Sequence, residues 1–342
     1  MLLACGCLAL GAASAAAEVP TGPRLTFMEA GDAGFRLVSA DPGGGDRRVI
    51  VGGNRKSRFL PFPFSRPSWS GDGARLVFAG IDQPGDRASR LDVYDAAADG
   101  TGVTRLPGTS DIFSAVVSPD GNMVAFSRER EREVEKPRGG GATVIRSASI
   151  WLLDIDSGAF GQLTPWRDGL SAYPSSFSPD GSILAISRQW RNSHAAVAVR
   201  LDGSGETVLA RNAGEPVYSP DGTRLAMTTV GKRRSIGRKG VTLTFSPPDL
   251  AVAAADGSGL TRLTRTRNLE LAPSWDPSGQ RIAYTLLTPS LDEASILGAG
   301  DSIMEINADG SCKTKILSVP RVSLFGATWQ PGAGREAGPI SC

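Results

Sequence analysis

An all-β fold is what this sequence predicts, and two observations carry the prediction. The first is compositional: 42 Gly and 23 Pro occur in 342 residues without a Gly-X-Y period. Many turns mean many short strands. The second is an internal repeat. Pro67-Ser-Trp-Ser-Gly-Asp-Gly-Ala-Arg-Leu-Val-Phe78 returns as Ala115–Phe126, Ser175–Ile186, Pro216–Met227 and Pro273–Tyr284, with a truncated copy at Ala327–Gly332. From Asp72 the turn position recurs at Asp120, Asp180, Asp221 and Ser278, so the steps are 48, 60, 41 and 57 residues. Such steps fit the blades of a propeller with insertions in its loops.

Each copy reads as strand, tight turn, strand. The first strand carries an aromatic or β-branched residue at its third position. In Pro-Asp-Gly, proline presets φ, aspartate bonds its own backbone and glycine takes positive φ. A second unit follows each first one, as in Ile150-Trp-Leu-Leu-Asp-Ile-Asp-Ser-Gly158 and Leu250-Ala-Val-Ala-Ala-Ala-Asp256-Gly. These are alternating strands closed by hairpins. Six second units stand against five complete first units. The missing strand is expected from the chain's end, Ala327–Gln330, closing the ring beside Arg24–Met28 and leaving no free edge. The expectation is six four-stranded antiparallel blades: 327–331 with 24–50, then 67–107, 113–165, 173–210, 214–264 and 271–317. One domain spans 18–342, with 332–342 as its tail.

Residues 2–17 are nearly all Ala, Leu, Gly and Cys and end in small residues. They are too short and alanine-rich for a membrane span and read as a signal peptide. The expected location is the periplasm, cell surface or medium, without a transmembrane span. An alternative reads Leu2-Leu3-Ala4-Cys5 as a lipid-attachment motif with Cys5 modified. Beyond residue 17 two cysteines remain, Cys312 and Cys342. In an oxidising compartment they are expected to pair, closing a loop worth roughly 3 kcal/mol.

Ser178-Pro179-Asp180-Gly181, followed by units such as Asp256-Gly-Ser-Gly-Leu-Thr-Arg-Leu-Thr264, resembles the WD-like propeller repeat of the TolB family. The resemblance covers nearly all of 24–331. It implies a six-bladed propeller alone, without the α/β domain that precedes it in that family. The same repeat occurs in propellers of prolyl-oligopeptidase-type peptidases.

Candidate chemistry is sparse. His194 is the single histidine, which excludes multi-histidine metal sites and forces any Ser-His-Asp arrangement through it. No Gly-x-Ser-x-Gly elbow or phosphate-binding Gly-rich loop occurs. No cofactor or metal is expected. Asp72, Asp120, Asp180 and Asp221 read as turn stabilisers, and Trp69, Trp275 and Trp329 as packing between blades.

Chain order separates two rims. The Asp-Gly turns share one, and every sizeable insertion falls on the other. Arg55, Lys56, Arg58, Lys232, Arg233 and Arg234 lie on this loop face; the stretch from Arg128 to Lys136 alternates in sign and reads as self-neutralising. The loop face carries an excess of about ten positive charges in a chain of net charge +2, so the turn face is acidic. Trp166, Tyr173, Arg188, Trp190, Arg191 and His194 group near the same rim, a composition suited to stacking on sugars or a peptide; core packing is the competing reading for Tyr173. The expected function is a monomeric, non-catalytic module binding a protein or anionic envelope component, with no nucleic acid. The alternative is a lyase or hydrolase acting on an anionic glycan.

Overall fold

The structure, a computed structural model, describes residues 23–32, 34–53, 59–61, 66–82, 90–135, 142–191, 193–238, 241–289, 302–332 and 338–342. Residues 2–17, expected to be a signal peptide and containing Cys5, and the basic residues Arg55, Lys56 and Arg58 lie outside them.

Among the described residues every regular element is a strand. The first sheet runs Ser323–Trp329, Leu25–Gly31, Gly34–Ala40, Arg48–Gly53. Leu25 faces Trp329 across an antiparallel ladder, which is the expected closure by the C-terminal strand. The second sheet pairs Phe59–Pro61 and Ser68–Trp69 with Arg75–Asp82, then adds Arg90–Ala97 and Thr104–Arg105. The third has eight strands in two antiparallel halves, 112–162 and 170–211, fused by one parallel bridge between Ala148 and Ser171. The fourth contains Ala213–Tyr218, Arg224–Val230, Pro248–Ala254 and Thr261–Arg262, and a separate hairpin, Arg234–Arg238 with Val241–Phe245, springs from its second connection. The fifth is Leu269–Trp275, Arg281–Leu287, Ser302–Asn307, Thr314–Ser318.

Six separate four-stranded sheets therefore do not appear. The Ala148–Ser171 bridge merges two repeats into one sheet, and Phe59–Pro61 adds a fifth strand to the second.

Apolar faces of consecutive repeats pack against each other in a closed circuit. Met28 and Leu37 meet Trp69 and Phe78. Val77 and Val93 meet Val117 and Phe126. Val116 and Ile150 meet Phe177 and Leu184 across the fused sheet. Ala196 and Leu209 meet Leu225 and Met227, Val217 and Leu250 meet Trp275 and Tyr284, and Ala283 and Ile303 return to Leu25 and Phe27. Alternation along each strand gives the sheet two apolar faces, so each sheet is sandwiched by its neighbours.

The turns form as the repeat predicts. Ser70, Ser178 and Ser219 hydroxyls each donate to the aspartate two residues on, at 2.5 Å. The serine oxygen in turn accepts the N–H of Arg75, Ile183 or Arg224. In the fifth sheet the roles are exchanged: Ser278 donates to Asp276 at 2.6 Å, and Asp276 accepts the N–H groups of Gln280 and Arg281. Gly222, at φ 71°, supplies the left-handed residue that closes such a turn. A threonine after the leucine of the second unit has a similar role: Thr109, Thr164 and Thr264 hydroxyls accept the N–H of Val93, Ile150 and Leu250.

Cys312 and Cys342 form the expected disulfide, with Cα atoms 5.1 Å apart. Asn307 exchanges two hydrogen bonds with the backbone of Ile340, so the tail is pinned to the fifth sheet.

Candidate functional site

The first strand of every repeat faces the ring's axis. Where these strands end at the turn face, they enclose a cavity of about 530 Å³. Its wall carries Trp69, Phe177, Tyr218, Trp275 and Trp329, the third-position residues of five copies, with Val117 from the remaining one. The turn prolines Pro119, Pro179, Pro220, Pro277 and Pro331 line the mouth. The tryptophans thus pack between sheets, as expected, and also line a funnel. Above them stand Asp72, Asp120, Asp180 and Asp221. A serine hydroxyl bonded to each carboxylate, with a backbone N–H added, holds it below the ordinary carboxylate range.

The funnel is stitched from repeat to repeat. Hydroxyls of Ser68, Ser176 and Ser274 accept the N–H of the next repeat's third residue, Val117, Tyr218 and Trp329. The indole N–H of Trp275 donates to Val217 O at 3.0 Å. Arg224 lies over the Trp275 ring and Arg281 over Trp329, 4.7 and 5.4 Å from the centroids. These bonds fix the wall before any ligand arrives.

Three residues before the third position, the copies carry Arg66, Ser114, Pro174, Glu215, Ala272 and Gly326. Four are small or uncharged. The two charged ones have opposite signs. Arg66 lines the cavity and donates from Nη2 to Pro273 O at 2.5 Å. Burial brings its pKa down to about 10, against the attraction of Glu215. Glu215 accepts the N–H of Ala272 at 3.1 Å and donates its own N–H to Ser187 Oγ at 2.6 Å. Burial pushes its carboxyl above the ordinary range. Glu215 and Ala272 both sit at positive φ, 51° and 53°, beside bulges in their strands. Such backbone is costly for residues other than glycine and concentrates at functional positions.

The loop face has a different construction. Met123–Glu135 and Ala142–Asp154 form a long antiparallel arm. Strand alternation places Arg128, Arg130 and Arg132 on one of its faces and Glu129, Glu131 and Glu133 on the other. The expected self-neutralisation within this stretch is thereby corrected: the signs are sorted onto opposite faces. Arg128 lies 4.8 Å from the Trp151 ring and Arg130 4.5 Å from Trp166. Arg130 and Arg132 both pair with Asp168. On the opposite face Glu131 pairs with Arg146 at 2.6 Å, and the Tyr173 hydroxyl donates to Glu129 at 3.2 Å.

The residues singled out by sequence are distributed along this face rather than joined. Trp166 stacks under Arg130, and Tyr173 packs on Phe113 with ring centroids 5.3 Å apart. Arg188 makes two 2.6 Å bonds to Glu206, which commits its guanidinium. Trp190 is 53% exposed at a hairpin tip with Arg191 beside its ring, and His194 is exposed next to them. Lys232 and Arg233 are exposed and Arg234 half-buried at the root of the 234–245 hairpin. Among the described residues no ring contact links Trp166, Tyr173 and Trp190. Sequence reasoning missed Arg66 and Glu215. Counting three residues back from each aromatic would have found both.

A ring of antiparallel sheets that surrounds a central funnel is a β-propeller. No protein family description and no curated protein matches the chain. Solved structures do. TolB from Acinetobacter baumannii is 17% identical, with TM-score 0.64 over 91% of this chain and 67% of its own. A putative TolB from Agrobacterium tumefaciens is 17% identical, with TM-score 0.58 over 90% of this chain and 99% of its own. A chain of the nidogen/laminin complex is 10% identical, with TM-score 0.60 over 91% and 99%. At these identities the likeness establishes a TolB-like propeller fold and nothing about activity.

Proposed function

We propose that the protein is an exported, non-catalytic binding module, a six-bladed propeller that receives a segment of a partner protein in its turn-face funnel. The observation that carries this reading is the cavity itself, lined by all six copies of the repeat with aromatic, proline and hydroxyl side chains and a single cation. Concave, largely apolar sites with a few convergent polar groups are where ligands bind. The nidogen/laminin complex supports a protein as partner, since there a ring of similar fold takes part in protein–protein assembly. Six blades follow if the two halves of the fused sheet count separately; the six apolar clusters between consecutive repeats support that count. Export is supported by the Cys312–Cys342 bridge and by the composition of residues 2–17, read as a signal peptide that leaves 18–342 as the mature domain.

A second reading keeps docking on the basic loop face, at Arg55, Lys56, Arg58, Lys232, Arg233 and Arg234 and the aromatic group near Trp190. The sorting of Arg128, Arg130 and Arg132 onto one face of the arm favours it, because three aligned guanidinium groups suit an anionic envelope component.

One comparison tests both. Envelope extract is passed over immobilised wild type, Ser176→Trp, which obstructs the funnel at the cost of the Ser176–Tyr218 bond and is used only once its thermal melt shows it folded, and Arg130→Glu with Arg132→Glu. The funnel reading expects partner retention to be lost only with Ser176→Trp. Retention by Ser176→Trp and loss with the arginine reversals would transfer the site to the loop face.

A further inference from the structure

The funnel has a floor, and the floor has a charge. Among the described residues Arg66 is the one charged side chain lining the cavity. It lies three residues, roughly 10 Å of strand, below the level of the aromatic ring. Among the described residues its guanidinium makes one hydrogen bond, to Pro273 O, and no ion pair. A guanidinium has five N–H donors in a planar fork. None of them is buried without a partner, so what recommends a carboxylate is that it accepts from two at once. Glu215 attracts Arg66 from another repeat, but its carboxylate is tied to the Ala272 N–H. Among the described residues the funnel therefore ends in a cation with N–H donors left for a ligand.

We propose that Arg66 makes the funnel selective for the C-terminal carboxylate of a partner protein. This rests on the funnel reading above and adds the chemistry of the ligand's end. A free small anion gains only the floor cation and leaves the aromatic and proline wall bare, while Asp72, Asp120, Asp180 and Asp221, interleaved with Arg75 and Arg224, follow the lining residues in the turns. A peptide terminus meets both demands. Its carboxylate reaches the floor, its last side chains contact the aromatic and proline wall, and a Lys or Arg upstream faces the turn aspartates. Capture of a chain terminus is an established mode of peptide recognition. Glu215 attracts the same guanidinium without pairing with it, so its charge weakens the pull of Arg66 on an incoming carboxylate.

The test uses the full chain and a random pentapeptide library with an upstream lysine, prepared with free and with amidated C-termini. Wild type is expected to bind its best free-acid peptides at least tenfold more tightly than the matching amides. Arg66→Gln should abolish that preference and Arg66→Lys reduce it, with thermal melts confirming that both variants fold. Glu215→Gln should tighten free-acid binding several-fold. Equal binding of acids and amides by wild type, or an unchanged preference in folded Arg66→Gln, overturns the proposal while leaving the funnel reading intact. No binding of either library to wild type overturns the proposal, and partner retention from envelope extract that is unchanged in Ser176→Trp overturns the funnel reading as well.

Discussion

The two rims of this propeller are built on opposite principles. At the turn face the repeats spend many of their polar groups inward: serine on aspartate, serine on the neighbour's N–H and, at Trp275, indole on a carbonyl. At the loop face the insertions differ from repeat to repeat, and their charges reach solvent in pairs or singly. The turn face is therefore a stiff mould, whereas the loop face is an adaptable surface. Stiffness favours recognition by shape, since little order has to be created on binding. Charge on exposed arms favours steering and solubility, and on projecting strands it also discourages edge-to-edge pairing.

Substitutions can break this contrast, beginning where burial is deepest. Arg281 lies between Asp276 at 3.5 Å and Glu305 at 3.1 Å, all three buried. Arg281→Met strands both carboxylates and is expected to cost about 3 kcal/mol in denaturant unfolding, the low end of the range for a broken buried pair. It falls at the low end because Glu305, pushed up to about 7 by burial, readily takes a proton. Replacing Cys312 and Cys342 together by serine should also cost about 3 kcal/mol, by freeing the closed loop of the unfolded chain; a reducing-agent titration of the wild type should reproduce it.

Smaller effects sharpen the same comparison. Ser178→Ala removes one repeat's turn bond and should cost about 1 kcal/mol. Exchanging the pair, Ser178→Asp with Asp180→Ser, copies the fifth sheet's arrangement and should recover most of that loss. On the arm, Arg132→Ala should change stability by less than about 0.5 kcal/mol, measured by the same denaturant curves. If it matched Ser178→Ala, the division into mould and adaptable surface would fail.

Acidity acts in opposite directions on the exposed turn aspartates and on buried Glu305. The turn aspartates have folded pKa values lowered by their serine partners. Their contribution is present above the unfolded carboxylate value and disappears as pH falls through the depressed folded value. Glu305 is raised from 4.5 to about 7, first by burial and against the pull of Arg281. Its contribution is complete below 4.5 and is lost as pH rises towards 7. Unfolding free energy should therefore decline between those two values in wild type, and Glu305→Gln should flatten that decline without altering the acid limb.

Much of this was legible in the sequence, and the reason is local. A tight turn admits few residues, so Pro-Asp-Gly repeats visibly, and the closing strand at 327–330 and the Cys312–Cys342 pair follow from counting. The axis was not legible. Arg66 and Glu215 occupy one repeat position whose other occupants are Ser114, Pro174, Ala272 and Gly326, so no residue type recurs there to draw notice. Only ring closure makes them neighbours in charge. The arm misled for a related reason: alternating signs cancel along a sequence but separate across a strand, as Arg130 over Trp166 and Glu129 beneath Tyr173 show. The fused sheet was invisible too, because a single bridge between Ala148 and Ser171 has no sequence signature.

The central claim is that partners enter at the funnel. A photo-crosslinking residue placed at Tyr218, on the funnel wall, or at Phe160, 49% exposed on the arm side, reads this directly in envelope extract. The account predicts one defined crosslinked product from position 218, suppressed by excess free-acid pentapeptide, and none above background from position 160. A defined product from position 160 with none from 218 would contradict it.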